Sequence, residues 1–390
     1  MLKKLLCAAF LCALSANAFA VTDIWKDKLF IDGEIRSFAI SDRNMIQRLG
    51  SSADYDTVPT RVLFGAGYRI TPDISVFARG AFFTVWGQKD GQYAVLGNYD
   101  NKLSFAEGYA EIKNIFNALD IKAGRQFYLS DEVFYKPLLY SVERLIYASV
   151  DGVSGNFKFK NTDVKFLLGK EAEVTYSGME GERYVYGLQS KTKVSDLFSF
   201  DLSAYNINTK NTRYDTAADY TLFGATPRLN AGNLALFLRY LANNDEQNRY
   251  GQYFHLDAKY KIAEDSFSLT PKASFITTAG DTGWGTITYL RSIIVEQSLG
   301  DLAIRNGEVY GAGIDFQAEA LPKTLFSLDS YYYKSSISSM SDKGTEVDLK
   351  AVYQMYKNLE LGIAGGYFAA NGSFQEKDSQ KLQVWFVFKF

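Results

Sequence analysis

Apolar and polar residues alternate along most of this chain in short runs of period two, with turn residues between the runs. The last run shows the pattern clearly. Leu382, Val384, Phe386, Phe388 and Phe390 share one parity, whereas Lys381, Gln383 and Lys389 share the other. One face of such a strand is apolar and the other mostly wet. About 18 strands of this kind are expected, over residues 28–40, 58–70, 74–86, 103–113, 119–127, 149–160, 163–170, 183–193, 198–206, 220–229, 233–241, 252–262, 267–278, 308–318, 324–334, 345–355, 359–368 and 381–390. Each is about as long as a strand needs to be to cross a membrane at a tilt. Tight turns at 71–73, 161–162, 194–196, 263–265, 321–322 and 357–358 are interleaved with longer connections, of which 41–57, 128–148 and 279–306 are the longest. The pattern predicts an all-β fold: one transmembrane antiparallel up-and-down barrel, short turns at one end, long loops at the other, and both ends of the barrel on the turn side.

Composition separates this reading from a soluble β-protein. Past residue 20 no stretch approaches the roughly 20 apolar residues of a membrane helix, and the mean hydropathy is −0.14. Yet 15% of residues are aromatic, with 29 Phe and 27 Tyr against 6 Pro and 1 His. Alternation averages the hydropathy out, while interfacial girdles demand aromatics. A soluble solenoid or sandwich has no such demand.

Residues 1–20 read as an export signal, with Lys3 and Lys4 before an apolar run and Ala18-Phe19-Ala20 as a cleavage site, leaving 21–390 as the barrel domain. Cys7 and Cys12 both lie in the leader, so no disulfide or thiolate chemistry is expected beyond it. Losing Lys3 and Lys4 takes the net charge from −2 to −4, too near neutral to point to nucleic acid. The expected location is the bacterial outer membrane, among lipid and lipopolysaccharide.

Taking the polar parity of each strand as inward places Arg36, Arg61, Arg69, Arg79, Lys122, Lys158, Lys160, Lys165 and Arg183 in the first half of the lumen, with few acids such as Asp32 and Glu34. The second half carries Asp201, Asp257, Asp315, Glu319, Asp329, Glu346, Asp348 and Glu360, with Arg239, Lys259, Lys272 and Lys350 among them. Consecutive strands are neighbours in a meander, so a basic wall would face a more acidic one. Such a field favours dipolar or carboxylate-bearing solutes. A ring of about 18 strands leaves an aqueous channel, and a long loop folded inward is the economical way to narrow it.

The run Gly124-Arg125-Gln126, then Glu143-Arg144-Leu145, then Val150-Asp151-Gly152-Val153, resembles the OprD-type substrate-specific porins and the related alginate-export barrels. The resemblance is specific over residues 119–170 and architectural elsewhere. It implies a channel whose constriction loop, carrying Asp131, Glu132, Glu143 and Arg144, enters the pore between the two halves of the motif. Strict alternation from Leu119 puts Arg125 on the lipid-facing parity, where a mid-membrane charge costs about 2–4 kcal/mol. A bulge at the strand end would turn it inward, toward a structural or constriction role. The sequence departs from the family in having Asp151 where an aromatic-acid pair is usual, and no proline after Arg144-Leu145.

Catalytic chemistry has little to stand on. His255 is the sole histidine, on inward parity beside Asp257 and Lys259, and reads as lumen lining. No metal-ligand spacing occurs and no cofactor is expected. The acid-rich stretches Asp54-Tyr55-Asp56 and Asn243-Asn244-Asp245-Glu246 leave calcium open, without the ordered spacing of a dedicated site. Phe390 resembles the terminal aromatic that the barrel-assembly machinery recognises. The expected function is passive diffusion of small hydrophilic, carboxylate-bearing solutes. An exporter of an anionic polysaccharide, an adhesin or structural barrel, and a lipase built on His255 are the other readings. Monomer and trimer both stay open.

Overall fold

Period-two alternation obliges each strand to bury one face, and the chain meets that demand by closing one sheet on itself. The computed structural model describes residues 28–46, 52–87, 102–127, 149–171, 182–210, 219–245, 250–280, 307–337, 340–371 and 378–390. Its strands are β1 (Leu29–Ile46), β2 (Ser52–Arg69), β3 (Ile74–Gly87), β4 (Lys102–Ile115), β5 (Leu119–Phe127), β6 (Ser149–Phe159), β7 (Thr162–Glu171), β8 (Glu182–Lys193), β9 (Phe198–Lys210) and β10 (Tyr220–Ala231). They continue with β11 (Leu234–Asp245), β12 (Tyr250–Tyr260), β13 (Ile262–Ala263), β14 (Phe267–Gly280), β15 (Gly307–Ala318), β16 (Thr324–Ile337), β17 (Met340–Tyr356), β18 (Leu359–Asn371) and β19 (Ser379–Lys389). Both β12 and β13 pair with β14, so the two form one interrupted stave. The 19 segments therefore build a closed barrel of eighteen staves. Every pairing is antiparallel between chain neighbours, and β1 closes the ring against β19.

The two faces differ as a membrane requires. Phe64, Trp86, Leu103, Phe105, Leu168, Leu188, Phe223, Leu349 and Leu382 stand exposed on the outer wall, while Arg61, Glu107, Asp201, Arg239, Glu346 and Lys381 are buried on the inner one. Among the described residues no helix is long and apolar enough to cross a membrane. This chain crosses with strands.

Two expectations about the connections are corrected. Residues 41–57 are mostly strand, because β1 runs to Ile46 and β2 starts at Ser52. Ser41 and Arg43 both bond Asp56, the nearest contacts being 2.7 and 3.1 Å, so charges that suggested a loop are cross-strand partners. The length rule also breaks at the loop end. Only residues 246–249 separate β11 from β12, and only 338–339 separate β16 from β17.

The seam at β1 and β19 is closed by the last residue: the Phe390 N–H donates to the Gly33 carbonyl at 2.9 Å, and the Gly33 N–H donates to the Phe390 carbonyl at 2.6 Å. Phe390 also tilts against Phe388, with centroids 5.7 Å apart. Removing Phe390 is expected to deplete the compact, heat-modifiable form seen in gels and to leave chain degraded before insertion. Unchanged levels of that form would contradict a closing role.

Candidate functional site

The lumen wall is a lattice of charge whose pattern depends on which residues the register brings together. Near the seam, Glu34 accepts from Arg36 Nη2 at 3.2 Å and from Arg61 Nη2. Arg79 on β3 pairs with Glu107 on β4 at 2.5 Å and with Asp32 on β1. Asp32 and Arg79 are two strands apart, and both lie opposite Gly65. That missing side chain is what lets the guanidinium cross β2. A Cβ on Gly65 would sit 2.7 Å from an Asp32 carboxylate oxygen.

Glu107 was absent from the inward set read from the sequence, for a structural reason. A register shift between Arg79 and Gly80 flips parity along β4. Leu103 and Phe105 therefore face outward while Glu107 is buried inside. Such bulges reverse the facing of everything beyond them. The disturbed alternation around Phe105 was the available signal.

These pairs change the charge map. The inward arginines of β1–β3 are offset by Asp32, Glu34 and Glu107, Asp42 pairs with Lys381 at 3.8 Å, and Lys122 on β5 lies opposite Glu111, with its ammonium 4.1 Å from the Tyr109 ring centre. Base exceeds acid instead on β6–β11, where Lys158, Lys165, Lys191, Arg228 and Arg239 meet Asp163 and Asp201, while Lys193 pairs with Asp196 in the following turn at 2.6 Å. Arg228 donates to the fully buried Asp201 at 2.7 Å, and Arg239 caps the Phe237 ring at 5.2 Å. Lys158 is largely exposed, 4.0 Å from Asp120. Lys160 leaves the lumen set because it sits in the β6–β7 turn with φ +49°. Arg183 holds an inward register position opposite Thr209, but its side chain lies outside the described residues, as do Asp131, Glu132, Glu143 and Arg144.

Beyond β11 acid exceeds base, with Asp257, Asp315, Asp329, Glu346, Asp348 and Glu360 on inward positions against Lys259, Lys272 and Lys350. Lys272 is shared by Asp315 at 2.6 Å and Asp329 at 2.8 Å, and Asp329 lies directly opposite Asp348. His255, Asp257, Lys259, Lys272, Asp329 and Tyr331 line a shallow recess beside Gly311 and Gly313. His255 lies edge-on to Phe237 at 4.8 Å. Near the seam, Phe38, Ile40, Phe83, Val85, Trp385 and Val387 form a buried apolar cluster on inward positions, with Phe38 stacked on Trp385. That sector is closed to water, and the wet surface lies elsewhere around the ring.

No protein-family model matches this sequence, and no curated protein matches it. Solved structures do. The outer membrane protein OprD of Pseudomonas aeruginosa superposes with a TM-score of 0.66 at 15% identity, covering 95% of each chain. OpdK of the same organism gives 0.63 at 12% identity over 93% of this chain and 99% of that one. OccAB1 of Acinetobacter baumannii gives 0.64 at 12% over 95% and 98%. The fold is the OprD-type barrel.

Within that barrel, the motif that resembles the OprD-type porins divides between the two faces of the wall. Gly124 adopts φ +126°, and a Cβ there would strike the Gly108 carbonyl oxygen, so only glycine fits the close approach of β4 and β5. Gln126 turns inward, accepts from Ser154 Oγ at 2.6 Å and donates to the Gly152 carbonyl at 3.4 Å. Arg125 turns outward and grips Asp151 with two bonds, 2.7 Å from Nε and 2.8 Å from Nη2. The constriction role is therefore corrected for Arg125: its guanidinium is on the outside of the wall. On the inside, the Phe127 N–H donates to Glu107 at 3.0 Å and Ser149 Oγ donates to the Ala106 carbonyl at 2.5 Å.

Proposed function

We propose that this chain is an outer-membrane channel for passive diffusion of small, carboxylate-bearing solutes, with the basic sector of β6–β11 as the track along which anions move. The observation that carries this reading is the unequal charge of the lumen. Acid and base nearly cancel near the seam, acid is in excess beyond β11, an apolar cluster removes one sector from water, and base is left in excess on β6–β11. Rings of side-chain charge are a recognised source of pore selectivity. The shared fold with OprD supports a channel. An exporter of an anionic polysaccharide would call for base around the whole lumen, which the acidic sector beyond β11 does not offer. The packing of His255 against Phe237 supports a lining role over a catalytic one.

Two tests follow. Cysteines at Pro72, Asn161 and Pro322 in short connections are expected to resist labelling from outside intact cells, and cysteines at Gly91, Tyr135 and Trp284 to label; labelling at a short turn would reverse the orientation. Shortening residues 128–148 is expected to raise single-channel conductance and relax discrimination. Unchanged conductance would move the constriction elsewhere, with residues 279–306 the next segment to shorten.

A further inference from the structure

On β5–β8 the outer wall carries a charged row that the channel does not use. Register aligns Arg125 with Asp151 and Asp151 with Lys170, and Lys170 with Tyr184, so the four side chains stand side by side on β5, β6, β7 and β8, all facing outward. One position nearer the turns on that face, Val153, Leu168 and Tyr186 are exposed and carry no charge. The row therefore marks a border.

Its height can be read from the strands. Asp151 stands eight positions above Phe159, and Lys170 eight above Thr162. At about 3.3 Å per residue and a tilt near 40°, that is roughly 20 Å above the turns. Exposed Tyr332 and Tyr367 also stand eight positions beyond the first residues of their strands, Thr324 and Leu359. Charge thus appears at the level of the upper aromatic girdle, near the top of an apolar band about 25 Å tall. Arginine, lysine and a tyrosine hydroxyl there meet lipid headgroups, whose fixed charge is phosphate. In the row itself two cations, Arg125 and Lys170, flank one carboxylate, Asp151. The Arg125 guanidinium spends Nε and Nη2 on Asp151, which holds its plane against the wall, and its Nη1 lies 3.4 Å from the Phe105 carbonyl. Held this way, the guanidinium is a cation fixed in place beside the ammonium of Lys170.

We propose that Arg125, Lys170 and Tyr184, arranged around Asp151, form a binding site for the phosphate of an outer-leaflet lipid headgroup. This rests on the outer-membrane reading above, with the turns in the periplasm. It gives the outward half of the motif a role distinct from solute passage.

The test uses the whole barrel, reconstituted in vesicles containing either lipid A with both phosphates or its dephosphorylated counterpart, and reads the temperature at which the compact form is lost. The wild type is expected to unfold at a higher temperature in the phosphorylated lipid. Lys170→Gln, which leaves the Arg125–Asp151 pair intact, is expected to lose at least half of that difference, and Asp151→Asn, which removes the competing carboxylate, to enlarge it. Equal wild-type temperatures in the two lipids, or a full difference in Lys170→Gln, would overturn the site. Loss of the difference on adding inorganic phosphate would also overturn it, since the row would then bind free phosphate. Conductance of the same samples checks the channel reading separately, so the two proposals fail independently.

Discussion

Replacing Lys165, Lys191 and Arg239 together with glutamine is expected to lower the anion-to-cation permeability ratio by about tenfold. The size follows from elementary electrostatics. A unit charge about 8 Å from an ion in water contributes roughly 0.5 kcal/mol, and screening at 0.1 M salt about halves it. Anions and cations respond in opposite senses, so each charge moves the ratio by about 0.5 kcal/mol and three move it by about 1.4 kcal/mol. Reversal potentials under a salt gradient measure the change. The three residues stand on inward positions of β7, β8 and β11, within the stretch where base exceeds acid. The same change at Arg36 and Arg61 is expected to do less, because Glu34 already offsets them. A larger effect at Arg36 and Arg61 than at the first three would place the track at the seam instead.

Arg79→Ala is expected to cost about 3 kcal/mol of barrel stability, the scale found when one partner of a buried ion pair is removed. The reason is geometric: Arg79 alone joins Glu107 on one side to Asp32 on the other. Its loss leaves a buried carboxylate at Glu107, which also accepts the Phe127 N–H at the root of the connection to β6. Adding Glu107→Gln is expected to recover much of the loss, since a neutral amide needs no counter-ion. Urea unfolding of the single and double variants measures both. Equal stability of wild type and Arg79→Ala would show the bridge to be ornamental.

Period two made the barrel legible. All eighteen staves coincide with alternating runs in the sequence, because a wall with lipid outside and water inside must alternate. The signal faded where that contrast ends. Residues 41–44 and 54–57 carry polar side chains on both parities, and the pairing of Arg43 with Asp56 shows strands continuing past the point where alternation fades. The charge pattern was legible only as inventory. Parity placed Arg36, Arg61 and Arg79 inside, but which carboxylate meets which guanidinium depends on register, on the bulge in β4, and on the gap at Gly65. Arg125 illustrates the same limit. Alternation put it outward, yet its partner Asp151 lies 26 residues on, and no local pattern announces that pair.

A single channel in a planar bilayer, under a potassium chloride gradient, tests the central claim most directly. The account predicts a steady open pore whose reversal potential lies on the chloride side of zero and moves toward zero as salt screens the wall. A barrel that passes no current, or one whose potential lies on the potassium side, would contradict it.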